Sequence, residues 1–291
     1  MTDHLKGLLI TTCGVLLVVP DSLFVRLIEA EPTVIVFWRG LFAGLLVTSA
    51  VLIFQGLSGF RAVLRTGWPG VLYTLLLAST APGFVMAVAY TSVANVVFIL
   101  ASMPIFAAVF SRVFLGEPIT KRMLWTIAAV LVGLAIIAYG SGENELASWK
   151  GDLWAVYTSA SFAAALTAVR KLRDTSMIPA VPVAYFLAAL MMSFFADPVA
   201  SFHTEWPLFL AHGAIIGASS CLLVLGPRYL SSAEVALLIL LESVLAPLLV
   251  WAVVGEDPGA WAIFGGAVVI GALLVSNLIA LRRRRRVPAA R

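Results

Sequence analysis

Ten apolar segments, most of about twenty residues, divide this 291-residue chain. They run over 6–25, 33–54, 68–90, 93–115, 122–140, 151–170, 180–197, 207–227, 232–254 and 259–281, and are numbered here as spans 1 to 10. A helix of about twenty apolar residues matches the hydrocarbon thickness of a bilayer. Lipid is therefore the solvent of this fold. The last two spans also resemble the fourth and fifth. Ala89-Tyr90-Thr91-Ser92-Val93-Ala94-Asn95-Val96 answers Arg228-Tyr229-Leu230-Ser231-Ser232-Ala233-Glu234-Val235, and the same offset of 139 carries Gly116-Glu117 onto Gly255-Glu256. The first spans of the two halves align at an offset of 144, Lys6-Gly7 with Lys150-Gly151 and Val25-Arg26 with Val169-Arg170. A unit of five spans, followed by its copy, enters the membrane the other way up. Inverted repeats of this kind belong to secondary transporters, whose substrate site lies at the repeat interface near the midplane.

Composition removes the soluble alternatives. The chain is 62% hydrophobic and 12% charged, where a soluble domain carries roughly 25% charge. The expected domains are a first five-helix repeat (1–140), an outer linker (141–150), a second five-helix repeat (151–281) and a basic tail (282–291). Lys6 followed by Gly7 to Val19 imitates a secretory signal. The continuation through Pro20 to Arg26 has no small-x-small cleavage site, so the segment reads as a retained first span. Cys13 and Cys221 fall inside spans and read as small apolar fillers. His4, His203 and His212 have no metal-ligand spacing, and neither metal nor cofactor is expected.

Orientation follows from lysine and arginine. With the N-terminus in the cytoplasm, sixteen of the nineteen fall inside, Arg26 and Lys150 fall outside, and Arg39 lies within span 2. Acidic residues fill the outer loops at Glu29, Glu31, Glu143, Glu145, Asp197, Glu205, Glu256 and Asp257. Both termini are thus expected in the cytoplasm. The run Arg282 to Arg286 reads as a stop-transfer anchor touching anionic lipid, not as a nucleic-acid surface.

A family resemblance rests on specific residues. Ala94-Asn95 before an apolar span, Pro104, then Phe114-Leu115-Gly116-Glu117-Pro118-Ile119-Thr120 and Trp125 resemble the fourth and fifth spans of the EamA family of the drug/metabolite transporter superfamily. Leu241-Glu242-Ser243 and Val253-Val254-Gly255-Glu256 repeat the pattern, with Ser243 where the family usually has proline and Pro247 one turn later. Phe37-Trp38-Arg39 is similar to the family's arginine-bearing second span. The match is closest in look to bacterial amino-acid exporters of the YddG type. The resemblance implies an all-α basket of ten transmembrane helices around a central cavity, lined mainly by spans 1, 3, 4, 6, 8 and 9, with spans 5 and 10 outside. Span 10 is rich in small residues (Gly265, Gly266, Gly271), which suit either packing within the chain or a homodimer surface.

A charge inside the bilayer is tolerated mainly when it faces a partner or water. Glu242, at the centre of span 9, is either a cavity carboxylate that meets a substrate ammonium or a proton, or a buried packing residue. Arg39 either holds a substrate carboxylate or links structurally to a helix C-terminus or to Asp21. If Arg39 and Glu242 pair, removing one strands the other. Neutral polar stripes give further cavity candidates: Asn95 and Ser102 on span 4, Trp154, Tyr157 and Ser161 on span 6, and Tyr73 and Thr80 on span 3. Each set falls on one helix face, and such a face suits a pocket that desolvates an apolar side chain. Interhelical packing is the rival reading for each, and the preferred one for His212. Pro20, Pro82, Pro104 and Pro247 interrupt spans 1, 3, 4 and 9. Pro104 and Pro247, in mate helices, are the candidate gating hinges, or else static kinks.

There is no GxxxxGK[ST], HExxH or CxxC, and Ser219-Ser220-Cys221 lacks a nucleophile-elbow context. The expectation is a non-enzymatic exporter in a bacterial inner membrane, monomeric or homodimeric through span 10. It would move a small metabolite, best an amino acid with an apolar or aromatic side chain, by alternating access. A multidrug or cationic-compound exporter, and more remotely an intramembrane enzyme or lipid-handling protein, are the alternatives.

Overall fold

A computed structural model of the chain describes residues 3–90, 96, 99, 100, 102–140, 149–199, 201–255 and 259–286. Among the described residues the regular structure is helical, with no strand. The helices are α1 (Asp3–Val18), α2 (Asp21–Leu27), α3 (Pro32–Phe54), α4 (Gly56–Leu64), α5 (Trp68–Tyr90), α6 (Met103–Leu115), α7 (Lys121–Gly140), α8 (Trp149–Lys171), α9 (Ala180–Met192), α10 (Phe202–Tyr229), α11 (Ser232–Val254) and α12 (Gly259–Arg286). By length and composition, five described stretches suffice to cross a membrane: Asp3–Leu27, Pro32–Phe54, Trp68–Ala87, Phe202–Tyr229 and Glu234–Val254. Met103–Leu115, Ala180–Met192 and Ile263–Ser276 are shorter apolar helices.

Several boundaries differ from the sequence expectation, each for a local reason. Span 1 is two helices. Pro20 carries no N–H and its ring clashes with the preceding turn, so α1 stops at Val18 and α2 restarts at Asp21. Span 7 is expected over 180–197, yet α9 ends at Met192. Its thirteen residues extend about 20 Å at 1.5 Å per residue, short of a ~30 Å hydrocarbon layer. The connection 56–67 is not a plain loop. Gly56, at φ +61°, turns the chain into α4, which exposes Leu57 and Leu64 beside Arg61. Pro104 sits in the first turn of α6, where its missing N–H disturbs no intrahelical bond. The backbone of α11 stays helical through position 247.

The repeat is visible in the backbone. α6 ends at Gly116 and α11 at Gly255, both left-handed, at φ +68° and +82°. Glycine tolerates that conformation without a Cβ clash and closes a helix there. The helix contacts repeat too. α5 lies along α8 as α1 lies along α10. α6 meets α8 as α11 meets α1, and α9 meets α5 as α3 meets α10. Three contacts join a helix to its own mate: α3 with α9, α6 with α11, and α7 with α12. The largest core cluster draws on both halves, through Val15, Met103, Ala107, Val130, Ala163, Val235, Leu240 and Val269.

The α7–α12 contact is close because it is made on glycine: a Cβ on Gly133 would lie 2.8 Å from the Gly265 carbonyl oxygen. The α11–α12 contact is likewise tight, since a Cβ on Gly266 would lie 2.6 Å from Val244 Cγ1. These span 10 glycines are occupied within the chain. Gly271 has nothing within 4 Å.

Candidate transport site

Three buried side chains from three helices meet around Asp21. Asp21 opens α2 directly after the Pro20 break, and a carboxylate is favoured at a helix start. Arg39 Nη2, from α3, lies 2.9 Å from Asp21 Oδ2. His212, from α10, donates from Nε2 to Asp21 Oδ1 at 2.6 Å. Its ring is stacked on Phe24, with 5.2 Å between centroids and an 8° interplanar angle. Next along the chain, Trp38 Nε1 donates to the Pro198 carbonyl at 2.7 Å. Arg39 Nε and His212 Nδ1 are buried without a hydrogen-bond partner among the described residues.

Arg39 is therefore linked to Asp21, one of the two readings its sequence position allowed. It does not pair with Glu242. Glu242, on α11, makes no ion pair among the described residues. His212 packs on Asp21 through Nε2 and makes no ion pair with Glu242 among the described residues.

The other expected cavity residues divide. Trp154 and Tyr157 are 38% and 42% exposed and stand edge to face, 5.8 Å between centroids. Ser161, one turn further along α8, is buried. Ser102 Oγ donates to the Ile99 carbonyl at 2.6 Å and lies 3.0 Å from Ser159 Oγ, stitching span 4 to α8. Thr80 donates to the Leu77 carbonyl of its own helix at 2.7 Å. Tyr73 is buried in a core cluster with Ala165, Met177 and Tyr185, which is the packing reading of that position. Asn95 lies outside the described residues, and so does the side chain of Pro247. Cys13 and Cys221 are free thiols.

A second polar constellation lies at the arginine-rich end, where the sequence reading took the basic members as topology markers and Glu117 and Glu234 as repeat positions, and joined none of them into a site. Arg122, at the start of α7, reaches Glu234 Oε1 at 2.6 Å with Nη2. Its Nη1 donates to the carbonyl and hydroxyl oxygens of Ser276 on α12, both at 3.1 Å. His4 Nε2 stands 3.5 Å from the same Glu234 oxygen. Glu234 also completes a capping box with Ser231 at the start of α11. Arg170, at the end of α8, donates from Nε to Glu117 Oε1 at 2.8 Å and from Nη1 to the Pro227 carbonyl at 2.7 Å. Lys6 Nζ sits 5.1 Å from the Tyr229 ring centroid. A cavity of about 260 Å³ opens here, lined by Ser111, Glu117, Arg122, Met123, Ser231 and Glu234. The signal was available: Glu117 and Glu234 are acids on the basic side, against the trend that sends most acids to the other loops.

α1 begins at this end and α8 finishes at it, although the two are the aligned first spans of their halves.

Comparison with known proteins bears on the chain as a whole. The sequence profile described as the EamA-like transporter family matches residues 5–139 and again 149–278. The pseudopaline exporter CntI of Pseudomonas aeruginosa (strain UCBPP-PA14) is 27% identical over 225 residues, 74% of this chain and 74% of that protein. A protein of known crystal structure superposes with a TM-score of 0.79 at 18% identity, covering 96% of this chain and 99% of that one. At that identity the likeness is one of fold.

Proposed function

Because this chain belongs to the EamA-like transporter family, and so is a multi-pass membrane transporter and not an enzyme, we propose that it exports a small amphipathic metabolite by alternating access. The substrate we favour is an amino acid with an apolar or aromatic side chain. One observation carries the reading: the family profile matches twice, once in each half. The mate-by-mate helix contacts and the opposed directions of α1 and α8 support ten helices arranged as two inverted five-helix repeats around a central cavity. The placement of sixteen basic residues on one side supports an inner-membrane protein with both termini in the cytoplasm.

In this reading Trp154 and Tyr157 face the substrate's apolar side chain. The hydroxyl of Ser102, with Asn95, meets its polar end, while buried Ser161 packs behind that face. Glu242 offers a carboxylate to an ammonium group or carries a proton. An aromatic face beside a few hydroxyls desolvates an apolar group while holding a polar one. The relative named as a pseudopaline exporter favours a second reading, a larger exported metabolite of that kind on the same fold.

Release of substrate from proteoliposomes, screened across the twenty amino acids with pseudopaline as a further cargo, tests the reading. Aromatic and branched amino acids should leave faster from vesicles carrying the protein. Movement of pseudopaline with none of the twenty would transfer the assignment to the second reading. Flux that is the same with and without a pH gradient would remove Glu242 as a proton carrier.

A further inference from the structure

We propose that the Arg122–Glu234 ion pair is a one-sided latch, which makes the closed state of the arginine-rich end the resting state of the transporter. This rests on the alternating-access reading above, but not on its choice of substrate.

The pair is short, at 2.6 Å, and its two side chains are only 18% and 13% exposed. It joins the start of α7 to the start of α11, and Arg122 extends the link to Ser276 on α12. Opening this end must part α7 from α11 and break the pair. The cavity lined by both residues lies directly beside it, so parting the pair widens an existing space.

The inverted repeat supplies the comparison that gives the latch its direction. At the offset of 139, Glu234 answers to Asn95 and Arg122 answers to Trp261. Neither mate is charged, so repeat symmetry builds no such ion pair at the opposite end. Arg170 and Glu117 differ in this respect. Their mates in sequence are Arg26 and Glu256, which keep both charges. Whatever that second pair contributes to one closed state, the repeat can supply to the other, and it falls out of the difference. A two-state equilibrium moves only by what distinguishes the states, and the Arg122–Glu234 pair distinguishes them.

The test reads sidedness without substrate. On a background of Cys13→Ser and Cys221→Ala, Ala108→Cys reports the cavity at the arginine-rich end and Tyr157→Cys reports the other half of α8. A membrane-impermeant maleimide labels each in vesicles of known orientation. Without latch changes, the cysteine at 157 should label faster than the one at 108. Glu234→Gln keeps a side chain that serves the capping box and removes the charge. Glu234→Gln, Arg122→Gln and their combination should each speed labelling at 108 by about tenfold, one decade of population, and slow it at 157. The combination should do no more than either single change, because both remove one interaction. Unchanged rates at both positions, or rates that rise together, would reduce the pair to a packing contact. A lowered melting temperature without a change of sidedness would do the same. With flux read on the Ala108→Cys chain, which keeps Tyr157, a shift in sidedness alongside no amino-acid flux would overturn only the substrate reading, and flux without a shift only the latch.

Discussion

Asp21 is where three helices depend on one side chain. It accepts from Arg39 and from His212 inside the protein, and removing one partner of a buried ion pair leaves the other charge without compensation. Asp21→Asn should therefore cost about 3–5 kcal/mol, read as a lower melting temperature of the detergent-solubilised protein. Asp21→Asn with Arg39→Gln should recover part of the loss, since no full charge then stays buried alone. A single variant that melts like the parent would refute the role. The Arg39–Asp21 link was legible, because both are isolated charges in adjoining spans. The contribution of His212 was not, since 191 residues separate it from Asp21 and only the folded arrangement brings them together. The span 6 stripe shows the limit of periodicity. Trp154, Tyr157 and Ser161 share a face by spacing, yet Ser161 is covered while the aromatics stand open. Helical period gives direction around an axis, not what lies opposite. For the same reason Tyr73, a polar residue at lining register, proved to be core.

At the scale of elements, the glycine contact between α7 and α12 makes a sharp prediction. Gly133→Val would place its Cβ against the Gly265 carbonyl. Overpacking a well-filled contact costs about 1–3 kcal/mol, so the melting temperature should fall. Gly271→Ala, with open space around it, should leave melting unchanged. Equal effects would mean the two helices do not meet as described. The proline positions separate as well. Pro104 lies in the first turn of α6, and Pro104→Ala should let that helix start earlier. We expect slower substrate flux with an unchanged melting temperature, measured in the same vesicles. Among the described residues element type was legible, since apolar runs of this length are helical in lipid. Ends were less so: hydropathy counts apolar residues and is blind to a chain that turns out of a helix while staying apolar, as after Met192 and at Pro20. Pattern alone also passed over α4, nine residues between two spans.

For the whole molecule, topology is the decisive property. Repeat mates Tyr90 and Tyr229 should lie in opposite compartments. Cysteines at the two positions should accordingly react with an impermeant reagent from opposite faces of oriented vesicles. Reaction from one face would end the inverted-repeat account. The repeat itself was readable because whole motifs recur, from Gly116-Glu117 to Gly255-Glu256. The manner in which the two copies fit together was not, because no local pattern records which helix of one copy meets which helix of the other.

That fit has its own consequence. α1 packs on α10 and α11, from the far end of the chain, while α8 packs on α5 and α6. The chain is cut in two by sequence but woven together in space, so a fragment ending at the linker would bare the flanks of α1 and α5. Its missing neighbours exist only in the remaining fragment or, by resemblance, in a second molecule of itself. Two fragments divided at the linker should therefore regain function only when made side by side.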